Sequence, residues 1–168
     1  FDSYHTWNST NFIAEVYIEN LDTGWALTGA NFSLSYNASI TNLVSAVLDT
    51  GWAGPGNVVN ATTPGIIDVI ANNPASPSGD VLVLTMTFHI QEQHIYPPYP
   101  IGYYDSSHLD FNNVSLKSGT GSIPTNPPKN GVVEVYAVHI HPAYDVWVAA
   151  VAHCTPSIYN LPPKSVVG

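Results

Sequence analysis

The chain contains no arginine and only three lysines, set against twelve carboxylates, for a net charge of −9. That shortage of cations excludes several function classes. A surface of this sign repels phosphate backbones and anionic lipid headgroups, so no nucleic acid and no acidic membrane is expected as a partner. Without a guanidinium, the two-pronged donor that usually grips phosphate or carboxylate ligands is missing. Cysteine is nearly absent too, and Cys154 alone cannot close an internal disulfide. No run reaches the roughly 18 apolar residues of a membrane helix, so no membrane span is expected in this chain. Nor does any stretch carry a sustained helical period, and with 9% charged residues few ion pairs are available to lace helices.

What is present is apolar and well punctuated: 45% hydrophobic residues, 14 prolines and 12 glycines in 168 residues. That mix suits one domain of short strands joined by turns. "FIAEVYIENL" alternates from Phe12 to Leu21, with Glu15, Tyr17 and Glu19 on one face. "TGANFSLSYN" alternates again, with Ala30, Phe32, Leu34 and Tyr36 on one side and Asn31, Ser33 and Ser35 on the other. "NLVSAVL", "GIIDVIAN", "DVLVLTMTFHI", "HLDFNNVSL" and "GVVEVYAV" continue the series, separated by the turn-forming "GWAGPGN", "NNPASPSGD" and "PTNPPKNG". The expectation is an all-β, two-sheet antiparallel β-sandwich of about eight or nine strands. Its core should take Ile13, Tyr17, Phe32, Leu34, Tyr36, Leu82, Leu84, Met86, Phe88, Phe111, Val133 and Val135. "EQHIYPPYPIGYYDSS", with three prolines and four tyrosines, reads as a docked loop rather than a central strand.

Little in the sequence points to catalysis: no H-E-x-x-H, no G-x-S-x-G and no glycine loop opening a helix is present. Asp105 and Asp110 flank His108 without further support, so no catalytic residue is assigned. His139 and His141, at i and i+2 of a strand, share a face on which two imidazoles could meet one metal. Calcium, which takes hard oxygen ligands, suits the acidic segments "NLDTG" and "SSHLD" better, although no EF-hand loop occurs and no cofactor is required. Trp7, Trp25, Trp52 and Trp147 offer either a sugar-stacking surface or core packing. The sequon N-x-S/T occurs at Asn8, Asn31, Asn37, Asn60 and Asn113, pointing to a secreted protein carrying N-linked glycans, with Asn37 and Asn60 favoured because each adjoins a turn.

The order of these pieces resembles cohesin-like domains, a fold shared in outline with some carbohydrate-binding modules and jelly rolls. The likeness is carried by "FIAEVYIENLDTGWALTGANFSLSYNASITNLVSAVLDTGWA", by "PGIIDVIANNPASPSGDVLVLTMTFHI", and by "LDFNNVSLKSGTGSI" followed by the closing "NGVVEVY". Such modules recur in N-glycosylated surface proteins of archaea, and the resemblance implies that extracellular, cell-surface setting. In those proteins a following domain often opens in a pattern similar to Asp145, Val146, Val148, Val151, Pro156, Lys164, Val166, Val167 and Gly168 here. The expected organisation is therefore a sandwich over 1–138 and a C-terminal extension over 139–168. That extension is read as a donor strand or the stub of a next domain.

The segment "DVWVAAVAHC" is apolar on both faces, as a strand buried between layers would be. Left exposed it would invite pairing with another chain. Asp145, Val146, Trp147, Val148 and Val151 are accordingly expected to link copies of the chain by strand donation into a filament or surface layer. The alternative is a carbohydrate- or partner-binding cohesin-like module from a larger surface protein.

Overall fold

The computed structural model describes residues 4–5, 11–75, 78–91, 94–95, 102–119, 121–140, 145–153 and 157–158. Side chains are described over 11–75, 78–91, 106–119 and 121–133. The described elements are β1 (Tyr4–His5), β2 (Asn11–Leu21), a 3-10 turn (Thr23–Trp25), β3 (Leu27–Ser35), β4 (Thr41–Leu48), β5 (Val58–Asn60), β6 (Ile66–Asn72) and β7 (Gly79–Ile90). They continue with β8 (His94–Ile95), β9 (Gly102–Ser118), β10 (Gly121–Ile123), β11 (Gly131–Ile140), β12 (Asp145–His153) and β13 (Ser157–Ile158). Eight of these strands have seven residues or more, in line with the expected all-β sandwich.

Two sheets form the body. One runs β12-β11-β9-β3-β6-β5, with β10 hairpinned onto β9; the other runs β13-β2-β7-β4, and β1 pairs with β8 apart from both. Pairing is antiparallel throughout except where β13 joins β2 in parallel. The chain passes repeatedly between the sheets, so residues distant in sequence meet in one core. Ala14, Val16 and Ile18 of β2 and Leu84, Met86 and Phe88 of β7 face Ala30, Phe32 and Leu34 of β3, Ile67 and Val69 of β6, and Leu109 and Leu116 of β9. Phe88 stacks on Phe12 at 5.4 Å between ring centres and meets Tyr36 edge-on at 5.2 Å; Phe32 meets Phe111 edge-on at 5.6 Å.

Four core expectations need correction. On β2 the inward set is Ala14, Val16 and Ile18, which leaves Ile13 62% exposed and Tyr17 half-buried on the outer face with Glu15. The two phases of β2 are both apolar enough to read as inward, and the opposite sheet, through β3, β6 and β9, decides between them. On β7 the alternation is broken: Val83 and Leu84 are both fully buried, and Leu82 turns outward. Pairing with β2 jumps from Val16↔Leu84 to Tyr17↔Leu82, so β7 carries one extra residue, a bulge that switches its phase. Tyr36 is only partly buried and packs against the core from its margin. Of the remaining expected members, Phe32, Leu34, Leu84, Met86, Phe88, Phe111 and Val133 are buried, and the side chain of Val135 lies outside the described residues.

Two segments also differ from the sequence expectation. Residues 102–107 of the tyrosine-proline stretch belong to β9, which lies between β3 and β11; Pro97, Pro98 and Pro100 fall outside the described residues. The expected division after Val138 falls within β11, and β12 continues the same sheet.

Phe88→Ala should cost about 3–5 kcal/mol of unfolding free energy, and Ile13→Ala should stay within about 0.5 kcal/mol of the parent chain. Urea denaturation of both variants checks the face assignment of β2 and β7.

Candidate partner-docking face

The sheet β9-β3-β6-β5 presents a regular outer surface because β3 from Ala30 to Ser35 and β6 alternate in burial. Their registers set the outward residues in rows. Val58, Ile70, Asn31 and Ser115 form one row; Asn60, Asp68, Ser33 and Asn112 form the next; Ile66, Ser35 and Asp110 form a third. Side chains directly opposite each other in such pairs sit about 5 Å apart at Cβ, so Val58 and Ile70 form one apolar unit. Ile66 extends the apolar margin along β6, and these three residues are 40–44% exposed.

The polar members of the rows hold one another in place. Ser33 Oγ donates to Asp68 Oδ1 at 2.5 Å, and Asn112 Nδ2 donates to Ser35 Oγ at 3.1 Å. The Asn31 amide, oriented from its hydrogen-bond partners, puts Nδ2 on the Ala30 carbonyl at 3.0 Å and Oδ1 on Lys117 Nζ at 3.2 Å. The result is a flat face with an apolar margin and fixed hydroxyl, amide and carboxylate groups.

The opposite outer face, on β2-β7-β4, is built differently. Ile13, Val44 and Val47 are 56–62% exposed, but Ile13 is paired with Thr87 and Val47 with Thr85, so polar side chains of the central strand separate Ile13 from the valines of β4. Tyr17 Oη donates to Glu15 Oε2 at 2.9 Å. That bond, then burial, then the charges of Glu15 and Asp49 hold the phenol above its ordinary value of 10.0.

A shallow cleft of about 250 Å³ opens beside the docking rows, lined by Ser35, Tyr36, Asn37, Ser106, His108 and Asp110. A second, of about 210 Å³, lies among Asp49, Gly51, Trp52, Pro74, Ala75, Asp80, Val81 and Leu82. The carboxylates there are already engaged: Asp49 accepts from the Gly51 amide at 2.8 Å and Asp80 from the Asn20 amide at 2.9 Å.

The sequence-derived sites are distributed as follows. Asn31 and Asn60 stand in the docking rows, Asn37 opens the turn after β3, Asn113 sits on β9 with a left-handed φ of 54°, and Asn8 lies outside the described residues. His139 lies on β11 opposite Val146, while His141 falls outside the described residues, so the side chains of that pair are not described. Among the described residues no three His, Cys, Asp or Glu side chains converge as a metal site. "SSHLD" is strand β9 rather than a loop, and in "NLDTG" the Asp22 carboxylate caps the 3-10 turn through the Gly24 amide at 2.7 Å. Asp110 accepts from Asn130 Nδ2 at 2.8 Å. Trp52 is a core residue whose Nε1 donates to the Leu82 carbonyl at 2.8 Å, so it joins no sugar-stacking surface, and Trp25 packs half-buried against the same core. The side chains of Trp7 and Trp147 lie outside the described residues.

The strand expected to link copies of the chain is paired within its own sheet. β12 pairs antiparallel with β11 from Val132↔His153 to Ile140↔Asp145, which places Asp145, Val146, Trp147, Val148 and Val151 on an edge strand of the first sheet. Only residues 141–144 separate the two strands, so the chain's own β11 satisfies one side of the ladder locally, before any second copy is needed.

The exposed apolar margin of this face is not evident from the sequence. The one signal there is the run of apolar residues on β6, where Ile66 and Ile70 alternate with the equally apolar Ile67, Val69 and Ala71. That pattern reads as a strand buried on both faces.

No protein-family model and no curated protein matches the chain. Solved structures do match, cohesins among them. A type I cohesin–dockerin complex from Clostridium thermocellum superposes with a TM-score of 0.54 at 13% identity, covering 76% of this chain and 97% of that one. The seventh ScaB type I cohesin from Pseudobacteroides cellulosolvens gives 0.59 at 16% identity, covering 80% and 88%. A non-cellulosomal cohesin from the archaeon Archaeoglobus fulgidus gives 0.51 at 12% identity, covering 95% and 93%. The fold is therefore that of cohesin modules.

Tyr17 should ionise late in an alkaline titration followed by NMR, and Glu15→Ala should return it towards the ordinary value. Because the folded-state value is raised, the stability linked to this group is present below the unfolded value and lost as pH rises through the folded one. Unfolding of the parent chain should therefore lose that increment at alkaline pH, and the Glu15→Ala variant should not.

Proposed function

We propose that this chain is a secreted, non-catalytic binding module that docks a dockerin-type protein on the outer face of β9-β3-β6-β5. The observation that carries the reading is the Val58–Ile70 pair with Ile66, an exposed apolar margin beside polar groups already fixed by one another. Burying those three half-exposed side chains would contribute about 2–4 kcal/mol, taking a full side chain at about 1.5–3. The remaining affinity and the register would come from hydrogen bonds to Ser33, Ser35 and Asp68, whose geometry requires little reordering on binding. The cohesin fold supports the same reading, as does a cohesin–dockerin complex among the similar structures. The sequons, together with the archaeal cohesin among those structures, support a place on the outside of the cell in a larger surface protein. The filament reading falls behind because the donor strand it needs is already laddered to β11 along nine register positions.

Calorimetric titration of the full chain against a panel of dockerin modules tests the proposal. At least one should bind, and Ile70→Asp should weaken it by about a hundredfold, or 2.7 kcal/mol, without lowering the melting temperature. Val47→Asp, on the other face, should leave binding unchanged. Absence of binding across the panel, or an Ile70→Asp variant that binds like the parent, would sink the docking face. Particles that grow with concentration in light scattering would restore the filament.

A further inference from the structure

Two of the sequons share a local geometry that Asn31 and Asn113 lack. Asn37 Oδ1 accepts from the Ser39 backbone N–H at 3.0 Å and from Ser39 Oγ at 2.6 Å. Asn60 Oδ1 accepts from the Thr62 N–H at 3.2 Å and from Thr62 Oγ1 at 2.9 Å. In each, both side-chain and main-chain donors of the sequon's third residue converge on the acceptor amide oxygen, and both asparagines are exposed. Asn31 is the reverse case. Its Nδ2 is spent on the Ala30 carbonyl, the hydroxyl of its sequon, Ser33 Oγ, is spent on Asp68, and its backbone is laddered between β6 and β9. Among the described residues no such pair of bonds joins Asn113 to Ser115.

We infer that Asn37 and Asn60 are the N-glycan acceptors of the folded chain and that Asn31 is not. An amide nitrogen is a poor nucleophile because its lone pair is delocalised into the carbonyl. Two donors on Oδ1 stabilise the charge that grows there as Nδ2 gives up a proton, as donors stabilise any developing oxyanion. The co-reactant is an oligosaccharide carried on a polyprenyl phosphate or diphosphate, presented by a membrane transferase. Nδ2 forms a bond to the sugar's anomeric carbon, the bond from that carbon to the phosphate oxygen breaks, and the electron pair leaves with the phosphate. The amide proton passes to a base of the transferase.

The tertiary structure holds both turns at one end of the sandwich. The Asn37 backbone N–H donates at 3.0 Å to the buried Ser107 hydroxyl, which in turn lies 3.3 Å from the buried Thr41 hydroxyl. The Tyr36 N–H donates to the Gly65 carbonyl at 2.9 Å, tying the Asn37 turn to the loop that follows Asn60. Gly65 has φ +86°, and a Cβ there would lie 3.0 Å from the Tyr36 carbonyl oxygen, so that tie depends on glycine. Sugar at these two positions would coat one end and the β5 rim, whereas sugar at Asn31 would stand on a central strand.

The test is site mapping by peptide mass spectrometry. The folded full chain is incubated with a purified oligosaccharyl transferase and its lipid-linked donor, with the heat-unfolded chain run in parallel. The expected result is sugar on Asn37 and Asn60, none on Asn31 in the folded chain, and sugar on Asn31 only after unfolding. Ser39→Thr should keep Asn37 modified, while Ser39→Ala should lose it without affecting Asn60. Sugar on Asn31 of the folded chain, or its absence from either Asn37 or Asn60, overturns the assignment.

Discussion

Strand β3 carries a constraint on which both the core and the docking face depend. Its side chains alternate with period two, so Ala30, Phe32 and Leu34 can pack inward only if Asn31, Ser33 and Ser35 point out. A slip of one residue would bury three polar groups and strip Phe111 of its edge-on partner Phe32. The same register brings Asp68 opposite Ser33 and Ile70 opposite Asn31. Core packing against β2 and β7 therefore sets the positions of groups on the far side of the sheet, through a backbone that has no freedom left to adjust.

The scarcity of cations gives the surface its character. With three lysines and no arginine, the polar rows rely on neutral hydroxyl and amide groups plus Asp68 and Asp110, and Lys117 faces Asn31. Neutral hydrogen-bonding groups cost less to desolvate than ions, and those already paired in the unbound state lose little on association. Such a face suits a protein partner with an apolar patch of its own. It offers nothing to a phosphate or a sulfate.

The placement of the sequons and the docking rows on one sheet links the two proposals without making either depend on the other. Asn60 ends the outermost strand, where a sugar would occupy only the rim of its row, and Asn31 stands in the middle strand, where a sugar would obstruct the rows. The difference arises from hydrogen bonding. A turn lets a hydroxyl two residues on fold back to the asparagine, while an extended strand sends both side chains away from the backbone in parallel and leaves each to a cross-strand neighbour.

Much of the architecture is legible in the residue pattern alone. The alternation of β3, the turn-rich spacing and the lack of helical period determined an all-β sandwich, because a period of two can bury one face only as a sheet. The sequons and their turns were equally local, since bonds between residues i and i+2 need no tertiary partner. What only the tertiary structure decided were the matters in which two local readings were equally apolar. Ile13 against Ala14 on β2 was settled by which phase faces the opposite sheet, and Leu82 was turned outward by the bulge at Val83 and Leu84. The fate of Asp145–His153 was decided by β11 lying within reach in the same chain. The docking face itself was illegible because Ile66 and Ile70 look like core residues in sequence. They are exposed because, among the described residues, the sheet has a second layer on one side only, and burial is a property of what lies opposite a strand rather than of the strand.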